Sequence, residues 1–173
     1  MKFTLRNTLA GLAMILSASA AQAMQKDAFQ EIAQHTIKTV LSGSVADIDG
    51  LIAQQTKLVE LGVEGCREYA ASTSDPVHKK IMALVVRDAD KMMGMSLDEI
   101  EEAWHEGGVL SENGIDMDDL GQSSAVISLM DTVVHPATAF IALNQYKTSK
   151  DSDLLDQVKD ELAEVLHHLE QIN

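Results

Sequence analysis

Ala125–Leu143 reads AVISLMDTVVHPATAFIAL, and this stretch decides how the chain folds. Laid out at about 100° per residue, it is apolar on nearly every side, with Asp131 and His135 as its only ionisable groups. A helix hydrophobic all round belongs inside a large bundle or in a membrane. A span needs roughly 20 residues free of charge, and no stretch after the N-terminus meets both conditions. The segment is therefore expected to be the central, most buried helix of a bundle. Pro136 lacks an N–H, so the Thr132 carbonyl loses its usual donor, and a kink or break in the central helix is expected there.

Outward from this rod, every periodic segment has the helical repeat. Aromatic residues make up 3% of the chain and Pro appears twice, so little remains of the aromatic, β-branched alternation that strands use. The expected fold is all-α: a single-domain helical bundle of about five to seven helices. A first helix is expected from about Gln25 to Leu41, stopping at Gly43. Ser44 with Asp47 resembles a capping box that opens a long helix toward Ala71. Asp75 followed by Pro76 is an N-cap with proline at the first helical position, starting a helix to about Met93. Ser96 with Glu99 opens a short helix ending at Gly107-Gly108. Val109 to Asp116 reads as a loop, with Asp116 as the cap of the central helix. The last helix is expected from about Asp153 to Ile172, with Leu154, Leu155, Val158, Leu162, Val165, Leu166, Leu169 and Ile172 as a one-sided stripe. There is no internal repeat, low-complexity tract or long heptad run.

The N-terminus reads as a cleaved secretory signal. Lys2 and Arg6 form a positive start, Leu9 to Ala18 an apolar core, and Ala21-Gln22-Ala23 a small-x-small cleavage site. Residues 1–23 are thus expected to be removed, leaving residues 24–173 as one acidic domain. Met24 stands where a lipid anchor would need cysteine. The expected location is the periplasm, with secretion as the lesser alternative and no membrane insertion after cleavage. The full chain carries 13 cations and 27 anions, a net charge of −14; without Lys2 and Arg6 this becomes 11 − 27 = −16. Such acidity excludes nucleic acid as a partner and favours cationic ones. The lone Cys66 cannot form an internal disulfide.

The most specific polar feature is a seam along the central helix: Ser124, Ser128, Asp131 and His135, at spacings of four, three and four, fall on one stripe. A carboxylate one turn before a histidine can fix its tautomer and raise its pKa, as a base or metal ligand requires. The same residues would equally serve as a satisfied buried pair at the proline. Two Glu-x-x-His spacings, Glu102 with His105 and Glu164 with His167, invite comparison with carboxylate-bridged di-metal bundles. Their wheel positions argue against that use, because Glu164 and His167 fall away from the Leu154–Ile172 stripe and Glu102 lies opposite Ile100 and Trp104. For haem, no Cys-x-x-Cys-His sequence is present, so only non-covalent binding is open. His78 falls on an apolar helix face and could supply a second ligand, and Met92, Met93 and Met95 form a cluster suited to soft metals.

No Gly-x-Ser-x-Gly or comparable nucleophile motif accompanies the seam. The leading expectation is a non-catalytic periplasmic bundle that binds a protein partner or small ligand through Asp131, His135, Ser124 and Ser128. The alternative is a metal- or haem-binding bundle using His135 and Asp131 with His78 or the methionine cluster. No cofactor is strongly implied, and a hydrolase with Asp131–His135 as base dyad ranks third.

Overall fold

The computed structural model describes residues 9–43, 45–117, 120 and 125–172, with side chains from Gln25 onward except at position 171. Among these residues the chain is all-α, built from seven helices with no strand. In order they are α1 (Leu9–Leu41), α2 (Ile48–Ser72), α3 (Pro76–Met92), α4 (Leu97–Ile100), α5 (Gly108–Glu112), α6 (Ala125–Ser149) and α7 (Asp153–Gln171).

Side-chain capping accounts for the starts of three helices. Asp75 accepts from the backbone N–H groups of Val77 and His78, and Pro76 opens α3. Ser96 and Glu99 form a reciprocal capping box on α4. α2 differs from expectation: Asp47 is its N-cap, accepting from Gly50 N–H at 2.9 Å, and the helix starts at Ile48. Ser44 lies outside the described residues. The side chains of the expected signal segment also lie outside them.

Three further expectations are corrected. The Val109–Asp116 segment is only partly a loop, because Gly107, at φ +76°, turns the chain into the short helix α5 and buries Leu110 completely. Asp116 does not directly cap the central helix, which begins at Ala125. Of the kink or break expected at Pro136, the break is absent: α6 runs continuously to Ser149. Its residues are buried without interruption from Val126 to Ala139, so packing on every side offsets the one backbone hydrogen bond that proline removes.

α6 divides the interior into two halves. On one side Phe29, Leu58, Ala139, Leu143, Val158 and Leu162 join α1, α2, α6 and α7. On the other, Val85, Met92, Ile100, Leu110, Met130 and Val133 join α6 to α3, α4 and α5. Gly62 explains how α2 comes so near the core rod. A Cβ there would lie inside van der Waals contact of the Thr132 carbonyl, the group that Pro136 leaves without its helical donor. α2 thus packs directly against the weak point of α6.

Candidate metal centre

Two residues of the polar seam of α6 face α7. Asp131 and His135 lie one turn apart and are both buried, at 8% and 4% exposure. They were expected to partner each other, but their closest partners come from the neighbouring helix. His135 Nδ1 sits 2.7 Å from Glu161 Oε2, and Asp131 Oδ2 lies 3.4 Å from His168 Nε2. Glu161 and His168 are seven residues apart, two turns of α7, so one helix face supplies both. Between them, Glu164 places Oε2 4.0 Å from His135 Nε2, with its side chain 68% exposed.

A sixth residue arrives from the other side. After α4 the backbone widens into a single π turn, Glu101–His105, closed by the Glu106 N–H to Glu101 carbonyl bond at 2.9 Å. An extra residue per turn means each position rotates less than in an α-helix, so His105 stays near the inward face of Ile100 and Trp104. Its Nε2 lies 3.0 Å from Thr138 Oγ1 and 3.8 Å from Glu161 Oε2. The three imidazoles form a row: the His135 centroid is 5.1 Å from that of His105, edge-on, and 5.9 Å from that of His168, stacked.

These side chains form two ligand-competent groups, His105–His135–Glu161 and Asp131–His135–His168, in each of which the potential donor atoms lie within 4.8 Å of one another. The electrostatics follow from burial. Desolvation lowers the pKa of His105 and of His168, so both favour the neutral form that a metal ligand needs. Burial opposes protonation of His135 too. There the Glu161 hydrogen bond and the charges of Asp131, Glu161 and Glu164 outweigh it, and its pKa rises. Desolvation lifts the Asp131 carboxyl to about 6.

The other sequence-derived candidates are placed differently. Ser128 is buried within α6, and its Oγ finds no hydrogen-bond partner among the described residues. Ser124 lies outside the described residues. His78 belongs to neither ligand group; its Nδ1 is 2.8 Å from the Tyr69 hydroxyl at the start of α3. Met92 is core, and Met93 and Met95 pack against the same core. Cys66 is fully buried with its thiol pushed up to about 12 by desolvation, an inert position.

Glu102 and His167 are exposed, so neither Glu-x-x-His pair builds a site as such. Only His105 of the first pair and Glu164 of the second come near His135, and sequence reasoning missed Glu161 and His168 altogether. Both were within reach of the wheel argument. With Leu154 at 0°, the stripe spans about 0–120° and Glu161 and His168 fall at about 340° and 320°, on its border. No protein-family model, curated protein or solved structure matches the chain.

Proposed function

We propose that this is an exported, periplasmic metal-binding bundle that holds divalent first-row transition metal ions between the π turn Glu101–His105, α6 and α7. The observation that carries the reading is the convergence on buried His135 of two further imidazoles and two carboxylates from three separate elements. Imidazole with carboxylate suits zinc, iron, copper or nickel. A haem would need an apolar slot for its macrocycle beside the axial histidine, whereas an ion needs only the side chains that converge here. The acidic net charge of −14 favours a cationic ligand, and the N-terminal signal pattern supports export.

Metal analysis of untagged protein purified from the periplasmic fraction tests this directly. Bound metal is expected, and chelator-treated protein should regain thermal stability on adding Zn²⁺, by about 2.7 kcal/mol at a hundredfold excess over Kd. His135→Ala should abolish that gain while its circular dichroism stays helical. Wild-type protein that neither retains nor regains metal would overturn the proposal.

A second reading keeps the expectation of a small-ligand module and rests on a different place. A cleft of about 470 Å³ opens between α1, α2, α6 and α7, lined by Phe29, Leu61, Tyr69, Leu129, Leu169 and Ile172. Its size and apolar lining suit a small hydrophobic molecule. Native mass spectrometry would find such a molecule co-purifying, and Gly65→Leu would displace it without changing bound metal.

A further inference from the structure

We propose that the centre is dinuclear, with the His135 ring as the bridge between two metal ions. The proposal rests on the metal-binding reading above and specifies how that site is occupied. His135 is the one residue shared by both ligand groups. Its two nitrogens point away from each other, so no single ion can take both lone pairs. Nδ1 faces Glu161 Oε2 at 2.7 Å, and His105 Nε2 approaches the same oxygen at 3.8 Å. This is the first ion's corner. Nε2 is the nitrogen left for the second group, in which Asp131 Oδ2 and His168 Nε2 are already 3.4 Å apart.

Each corner therefore offers one ring nitrogen of His135, one further imidazole and one carboxylate. Glu164, whose Oε2 is 4.0 Å from Nε2 and whose side chain is largely exposed, can swing in as a further ligand on the second side. Three protein ligands per ion leave a coordination position for water or another small molecule at each.

The proton balance is defined. Neutral His135 carries one ring proton. When one ion takes the free nitrogen and a second takes the other, that proton is released to solvent and the ring binds as imidazolate. A protonated ring releases two. Glu161, 2.7 Å from Nδ1, would exchange that hydrogen bond for a metal bond.

The experiment is a Cu²⁺ titration of untagged, chelator-treated full chain, followed by elemental analysis and electron paramagnetic resonance. Two ions per chain are expected. The spin signal should grow to one equivalent and then fall as the second ion couples to the first through the ring. His105→Ala should empty only the Glu161 corner and His168→Ala only the Asp131 corner. Each variant should bind one ion and give an uncoupled signal. Both side chains are partly exposed, at 18% and 22%, so neither substitution should threaten folding. One ion per wild-type chain, lost in both variants, would overturn the dinuclear arrangement and leave the metal-binding reading intact. Two ions without coupling would overturn the bridge. No ion at all would overturn both.

Discussion

Glu161→Ala probes the centre most sharply, because it removes the acceptor of a buried imidazole. His135 Nδ1 and Glu161 Oε2 are 2.7 Å apart, with side chains 5% and 13% exposed. A hydrogen bond with a charged partner at such a place is worth about 1.5–3 kcal/mol. The effect must depend on pH, with a definite sign. His135 has a raised pKa in the folded chain. Its stabilising contribution is therefore fully present below its ordinary value near 6.5 and is lost as pH rises through the folded value. The variant should lose about 1.5–3 kcal/mol at pH 5.5, a fall in Tm of about 3–12 °C for a domain of this size, and distinctly less at pH 8.5. Without Glu161, burial dominates and the His135 pKa should drop. Trp104, the only tryptophan and fully buried, reports unfolding by fluorescence. Histidine titration by NMR reports the pKa. Glu164→Ala, at 4.0 Å and largely exposed, is the control and should cost under about 1 kcal/mol. A Glu161→Ala protein with unchanged Tm at pH 5.5 and an unchanged His135 titration would refute the reasoning.

Asp131 carries the opposite signature in metal-free protein. Burial lifts its carboxyl from 3.8 to about 6, so its favourable contribution is full below 3.8 and lost as pH rises through about 6. The ionised group then costs up to roughly 3 kcal/mol, and Asp131→Asn should be more stable than wild type by about 1–3 kcal/mol at pH 7.5, the gain vanishing near pH 4. His105 titrates alike in both proteins, whereas His135 and His168 face the Asp131 charge and lose its favourable interaction with their protonated forms, which offsets part of the gain. Urea unfolding at the two pH values measures this, and an Asn variant no more stable at pH 7.5 would contradict it. Gly62→Ala should destabilise by about 1–2 kcal/mol despite the better helix propensity of alanine, because the new methyl meets the Thr132 backbone, which cannot swing aside. A stabilised variant by thermal melting would show that α2 can retreat from α6 freely.

The fold was legible because helices are local. The all-round apolarity of Ala125–Leu143, the Asp75-Pro76 start and the Ser96–Glu99 box each depend on residues within one or two turns, and each appears in the structure. The errors fall where long-range packing overrides local preference. Burial of Leu110 makes a helical turn from a stretch with loop composition, and packing around Pro136 carries α6 through a residue that breaks isolated helices.

Two residues of this cluster were legible for the same reason. Asp131 and His135 stand out because an apolar rod has no other ionisable group. Glu161 and His168 do not, since an acidic and an imidazole side chain bordering the stripe of an amphipathic helix look like any solvated edge. His105 was hidden differently: an α-helical wheel misplaces it, and only the π turn rotates it toward α6. By itself the sequence determined which segments are helical and which one lies at the centre, because both follow from period and hydrophobicity along the chain. Only the tertiary structure decided that α7 lies along the polar side of α6 and that His135 meets Glu161 rather than Asp131. Helix adjacency and rotation are set by how whole faces pack, and no single segment carries that information.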